Sequence, residues 1–336
     1  MSVKRSATLS FVFTAFVTLS VVGVNSCAQR HEPMEHVSLR LQWTHQAQFA
    51  GFYVAKEHGF YKARGLDVTI GAGGIGFNVP ALVATEKEDF GIWMGDQVLL
   101  AFDQQKLPIK AIGTVFKRSL ACFMVKADSG IESPKDFRGK RIGVYPGFDT
   151  ETIYHELLRR YGVPQDQVTN YPAAYTLVPF IAGQVDVWPS YVINEPIVAQ
   201  EQKVPVRLLD PATFGINYYS DTIIVNERTL RERESTVKRF LEASEEGWRY
   251  ALSHPEEAVD IVTKYDPSLD KHHQAEMLRA EAEYLNTTDP LFEMKPATWQ
   301  SMATILSQQQ AISDPQSYTR LCDFTVAGKA HQSHAK

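Results

Sequence analysis

Residues 39–70, LRLQWTHQAQFAGFYVAKEHGFYKARGLDVTI, decide how this chain reads. Taken with Val37 and Ser38, they open on a short apolar run, Val37–Gln42, and continue through a helical stretch at 50–58. They close on Leu66–Ile70, where apolar and polar residues alternate as on a half-buried strand. Strand, helix and strand in that order make the repeating unit of an α/β protein. The pattern continues outward. Phe90–Ile92, Ile109–Val115, Leu120–Val125, Arg141–Tyr145, Val185–Val187, Val206–Leu209 and Thr222–Val225 read as strands. Helical stretches fall between them at 77–85, 96–105, 149–161, 176–183 and 194–203. In the 149–161 helix, Ile153, Leu157, Leu158 and Tyr161 share one face and Asp149 occupies the expected N-cap. Helices then dominate: Ser235–Leu252 turns Val237, Phe240, Leu241, Ser244, Trp248 and Ala251 inward, and Pro255 opens the next helix at its first position.

A length of 336 residues implies more than one packed core, and 44% hydrophobic with 22% charged residues excludes a disordered or fibrous chain. The formal charge of −5, without an extended basic run, removes nucleic acid as a partner. Three cysteines, Cys27, Cys122 and Cys322, are too sparse for a zinc knuckle, an iron–sulfur site or a disulfide scaffold.

Lys4 and Arg5 precede the uncharged apolar stretch Ala7–Val24, the layout of a secretory leader. That stretch ends in Val24, Asn25, Ser26 and Cys27, which is similar to a bacterial lipoprotein cleavage box. The expectation is a signal peptide over 1–26 and lipid on Cys27, anchoring an exported protein to a membrane; an uncleaved anchor or a plain signal peptide is the alternative. With Cys27 lipidated, Cys122 and Cys322 are left as two buried thiols or, alternatively, a disulfide.

Hydrolase elbows, phosphate-binding loops and His-Glu-x-x-His helices are absent from the sequence. His272 and His273 lie in a charged helical stretch and His331 and His334 in a polar tail, so no metal site is expected. The glycine-rich run Gly71–Gly76 lacks dinucleotide spacing and reads as a loop giving backbone access to a ligand.

The opening stretch resembles the start of the thiamine-pyrimidine-synthase-like group of ABC-transporter substrate-binding proteins. Further matches are Asp89–Gly91, Phe137–Val144, Val178–Val187, Asn194–Pro196 and Val237–Ala251, so the resemblance spans about 36–325. It implies a two-lobed type II periplasmic-binding fold: a first lobe from 36–124, a second from 125–215, a return to the first over 216–325, and a frayed tail at 326–336. Leu120–Val125 and Tyr219–Val225 are then the crossings. The resemblance also implies an ABC permease and ATPase as partners, or, alternatively, a sensory or envelope receptor without a transporter. The enzyme of the same group holds pyridoxal phosphate on a lysine two residues after an Asp-x-Gly and spends a histidine four residues on. Here those positions are Trp93 and Gln97. Neither side chain supplies that chemistry, so no catalytic residue and no cofactor are expected.

Ligands implied by the resemblance are small aromatic heterocycles: a thiamine pyrimidine precursor first, riboflavin as the alternative. Trp43, Trp93, Phe148, Trp188 and Tyr191 lie at or beyond expected strand ends, where flat apolar faces can grip a ring. Glu195, with Asn194, is the expected reader of a polar ring edge, its alternative role being to stabilise a helix start. Gln46, Asp96 and Asp149 complete the expected site. Asp149 and Glu151 place carboxylates where a helix N-terminus would otherwise attract an anion, which disfavours phosphate, sulfonate and nitrate.

Overall fold

The computed structural model describes Met1 and residues 34–174, 176–285 and 290–328. The leader with Cys27, and the tail with His331 and His334, lie outside the described residues. The chain begins with β1 (Glu35–Arg40), α1 (Ala50–Glu57), α2 (Phe60–Ala63), β2 (Leu66–Gly71), α3 (Val79–Ala84), β3 (Phe90–Met94), α4 (Gly95–Gln105) and β4 (Ile109–Thr114). A second set follows: β5 (Ala121–Lys126), β6 (Arg141–Val144), α5 (Asp149–Tyr161), β7 (Thr169–Pro172), α6 (Val178–Ile181), β8 (Val187–Tyr191), α7 (Glu195–Glu201) and β9 (Val206–Leu209). The last set is β10 (Asp221–Asn226), α8 (Glu227–Glu232), α9 (Glu234–Ser253), α10 (Pro255–Tyr265), α11 (Lys271–Leu285), α12 (Pro296–Gln308) and α13 (Tyr318–Leu321).

Two mixed sheets result, ordered β2-β1-β3-β10-β4 and β7-β6-β8-β5-β9. In the first, β1 runs parallel to β2 and β3, and β10 returns antiparallel between β3 and β4. In the second, β6 runs parallel to β7 and β8, and β5 lies antiparallel between β8 and β9. The chain therefore passes between sheets twice, between Thr114 and Ala121 and between Leu209 and Asp221. Residues 121–126 form an inner strand of the second sheet. This is the α/β, two-lobed arrangement with a cleft between sheets.

Helices cover the first sheet closely because glycine lets them. A Cβ on Gly51 of α1 would fall 2.1 Å from Trp248 Cγ, and one on Gly247 of α9 would fall 2.1 Å from the Gly51 carbonyl oxygen. Backbone meets backbone there, with Trp248 filling the space beside the crossing. Val326 and Ala327 are buried in this same core, so order persists two residues into the stretch expected to fray. Cys122 and Cys322 are separate buried thiols. Among the described residues, no helix is long and apolar enough to cross a membrane.

Candidate functional site

Three segments at the carboxyl ends of parallel strands converge between the sheets, the usual place for a ligand in such topologies. Beyond β1 the chain runs through Leu41–Gln48; beyond β6 it turns through Tyr145–Phe148 into α5; and β8 delivers Pro189–Tyr191 and then Asn194 and Glu195. The glycine run Gly71–Gly76 serves this site differently from expectation. Gly73 donates its N–H to the Trp43 carbonyl at 2.8 Å, and Gly74 to that of Gln42 at 3.2 Å. A Cβ at Gly73 would lie 2.1 Å from the Leu41 carbonyl oxygen. The glycine makes room for the Leu41–Trp43 backbone rather than for a ligand, and so places Gln42 and Trp43.

The convergence leaves a cavity of about 50 Å³ lined by Gln42, Trp43, Gln46, Gln48, Tyr145, Phe148, Thr150, Pro189, Ser190, Tyr191, Asn194 and Glu195. Trp43, Tyr145, Asn194 and Glu195 also border a neighbouring cavity of about 150 Å³, whose walls include Trp188 and Leu177. Phe148 is the hub of the aromatic wall, with ring centroids 5.5 Å from Trp43, 5.9 Å from Tyr145 and 6.2 Å from Trp93. Tyr145 reaches Trp188 edge-on at 6.4 Å.

Of the residues expected at the site, Trp43, Gln46, Phe148, Tyr191, Asn194 and Glu195 line the cavity and Trp188 lines its neighbour. Trp93, Asp96 and Asp149 stand one layer back. Trp93 is buried within β3 beneath Phe148. Asp96, in the first turn of α4, accepts from Thr152 Oγ1 at 2.5 Å and from Gln97 Nε2 at 2.9 Å. Phe148, not Asp149, is the N-cap of α5; Asp149 is its first residue, buried, and accepts from the Tyr191 hydroxyl at 3.1 Å. Glu195 accepts the Tyr191 N–H at 2.8 Å on one oxygen and has Asn194 Nδ2 at 3.4 Å from the other. Gln42, Gln48, Tyr145, Thr150, Pro189 and Ser190 belong to the wall without having been expected. Their signal was position alone, in the residues just after β1, β6 and within β8.

Burial sets the electrostatics. It pushes Asp96 up to about 6 against the hydrogen bonds from Thr152 and Gln97. It pushes Asp149 up to about 8, with the neighbouring Asp96 acting in the same direction. Asp221 is raised well above the usual carboxyl range by burial, and Glu281 likewise, with Asp221 adding to the effect. Glu195 is raised by burial too, opposed by the Tyr191 N–H. Among the described residues no lysine, arginine or histidine pairs with any of these five. At the start of α5 the Gly147 N–H is already taken by Glu151 at 2.8 Å. An anion entering here would meet no cation and an occupied backbone donor; a ring bearing N–H groups would meet the carbonyl acceptors of the wall. No three metal-ligating side chains gather among the described residues.

Two sheets joined by two crossings, with a cleft walled by both, define the two-lobed fold of the periplasmic binding proteins. The periplasmic aliphatic sulphonate binding protein SsuA of Escherichia coli shares this fold: TM-score 0.69 over 85% of this chain and 91% of that one, at 15% identity. The chain belongs to the NMT1/THI5-like family, which it matches over residues 46–258. The riboflavin-binding protein RibY of Chloroflexus aurantiacus is 30% identical over 70% of this chain and 67% of its own. The formylaminopyrimidine-binding protein of Halalkalibacterium halodurans is 25% identical over 73% and 76%. A 4-amino-5-hydroxymethyl-2-methylpyrimidine phosphate synthase of Legionella pneumophila matches at 27% over 69% and 74%.

Proposed function

We propose that this protein is an extracytoplasmic receptor that captures a small planar heterocycle, of the aminopyrimidine kind, for an ABC permease and ATPase. The observation that carries this reading is the cleft itself: aromatic side chains from both lobes around a space without a basic group, backed by buried carboxyls. Stacking holds the flat faces of a ring, while Glu195, Asn194 and the glutamines face its edge. Riboflavin is the second reading, favoured by the 30% identity to a riboflavin-binding protein.

Synthase chemistry is disfavoured on this chain's residues. The indole of Trp93 has no amine with which to form a Schiff base, and the Gln97 amide is occupied on Asp96. Export and lipid on Cys27 complete the proposal, since a receptor tethered outside the membrane can present its ligand to a permease. The deciding experiment is the mass and absorbance spectrum of whatever the native protein releases on denaturation, followed by calorimetric titration with 4-amino-5-hydroxymethyl-2-methylpyrimidine and with riboflavin. Tight binding of the pyrimidine supports the first reading, a yellow flavin chromophore the second, and binding of neither refutes both.

A further inference from the structure

Asp221 is the first residue of β10, a strand whose residues are all buried, and it sits where the chain re-enters the first lobe. Its Oδ1 accepts Gln42 Nε2 at 2.6 Å and Gln48 Nε2 at 2.9 Å, as a carboxyl oxygen can in either protonation state. Both glutamines line the cavity. An amide side chain has a donor end and an acceptor end, so committing the NH₂ fixes where the carbonyl faces. The Gln48 carbonyl receives Gln46 Nε2 at 2.6 Å, giving a chain of donors that runs Gln46, Gln48, Asp221. The Gln42 carbonyl receives no donor from the protein, although Gln42 is only 2% exposed. The Thr150 hydroxyl across the cavity, 3% exposed, is likewise unpartnered. Buried polar atoms are ordinarily paired, so an acceptor left open on a cavity wall marks a donor to come.

We infer that Asp221 is a positioning residue: by holding the amides of Gln42 and Gln48 it makes the first-lobe wall hydrogen-bond accepting, and so selects rings whose edge presents N–H groups over isosteres presenting only acceptors. This rests on the reading of the cleft as a heterocycle site and adds what sets its polarity. The groups facing Asp221 are consistent with that role. Asp149 on α5 and Glu281 on α11 are the charged neighbours that act on it, both acidic, and no cation competes for its oxygens among the described residues.

Asp221→Asn tests the inference because an asparagine can give its own NH₂ to the Gln42 carbonyl, which reverses that amide and presents NH₂ to the cleft. The probes are 4-amino-2-methylpyrimidine and 4-methoxy-2-methylpyrimidine, which present a donor and an acceptor at the same ring position; the extra methyl of the methoxy group is common to wild type and variant, so a change in their ratio reads polarity. The wild type should prefer the amino compound by about ten-fold or more, and Asp221→Asn should abolish or invert that preference. Both probes binding with an unchanged ratio in the variant would overturn the inference while leaving the heterocycle reading intact. Should the wild type bind neither probe, the reading of the cleft fails, and the inference is then decided without ligand. The side-chain NH₂ resonances of Gln42 and Gln48, assigned through Gln42→Met and Gln48→Met, must move in Asp221→Asn; unmoved resonances overturn it. If Asp221→Asn does not fold, Gln42→Met, which deletes the open carbonyl and keeps Asp221, must cut the amino preference to near unity, and an unchanged preference counts as refutation.

Discussion

Asp96 ties the first lobe to the second, and Asp149 ties α5 to β8 within the second, through protons rather than through opposite charge. Asp96 on α4 takes the Thr152 hydroxyl of α5, and Asp149 takes the hydroxyl of Tyr191 from β8. Burial raises Asp96 to about 6 and Asp149 to about 8, from a value of 3.8. Between those limits the folded chain binds more protons than the unfolded one, so stability is full below about pH 4 and falls as pH rises through 6 and toward 8. Asp149→Asn keeps an oxygen for the Tyr191 hydroxyl and has no charge to bury. We expect its melting temperature to exceed the wild type's at pH 8.5 by about 2–4 °C for each kcal/mol relieved, and to match it near pH 4. Equal pH slopes in the two proteins, measured by calorimetry from pH 4 to 8.5, would assign the loss of stability to other groups.

Elements show where sequence patterning speaks and where it falls silent. The helix expected over Ser235–Leu252 runs Glu234–Ser253, with all six expected inward residues buried, because one long amphipathic face leaves little choice. Strand β7 went unread: Thr169–Pro172 is a mostly exposed edge paired only to β6, and carries no apolar alternation. The sequence places a strand at Val185–Val187, whereas β8 runs Val187–Tyr191 and carries Pro189, which lacks the N–H an inner strand needs. The structure resolves this by letting β6 pair with β8 at Val187 alone, and the Pro189 ring lies over Gly143, where a Cβ would come within 2.7 Å of its Cδ. The same local blindness hid Gln42 and Gln48, whose roles depend on Asp221, more than 170 residues away. Contacts of that range leave no periodic trace. The α1–α9 crossing gives a direct test: Gly247→Ala puts a methyl group against the Gly51 carbonyl, and we expect a loss of about 1–3 kcal/mol in chemical unfolding. Wild-type stability in that variant would mean the helices can separate without cost. Helix α11 carries a second prediction. His273 faces Asn194 Oδ1 at 3.0 Å and Glu201 Oε1 at 3.1 Å, while the next residue, Gln274, accepts the Ala47 N–H at 2.7 Å. One helix thus fastens the Gln46–Gln48 segment to α7 of the other lobe. His273→Ala should weaken ligand binding by about 3–10-fold through faster release, with association little changed; stopped-flow traces showing the reverse would remove the fastening role.

At the scale of the molecule, the two faces of the lobe junction differ. Behind the cleft a continuous apolar core reaches from Trp93, Met94 and Val98 of the first lobe to Phe123, Ile153 and Leu157 of the second. Gln309 and Gln308, following and ending α12, add bonds to the Thr152 carbonyl and to Arg159 on α5. In front, the lobes meet through aromatic edges, the His273 contacts and the apolar Ile193, Val192 and Ile197 packed against the first-lobe core, around cavities of about 50 and 150 Å³. A packed core resists sliding, whereas a front whose contacts are interrupted by open cavities can part. A ring enclosed by both walls can enter only when they separate, and it gains contacts from both only when they close, so ligand must shift the population toward the closed form. Small-angle scattering should therefore give a smaller radius of gyration with bound ligand than without, and the liganded curve should fit this structure better than the free one does. His273→Ala should enlarge the free form's radius further while leaving the liganded form near the wild-type value, since ligand contacts remain to hold the lobes together. An identical radius with and without ligand, under conditions where titration shows saturation, would mean that the front of the cleft does not open and that the ligand enters by local motion of the Tyr145–Phe148 turn instead.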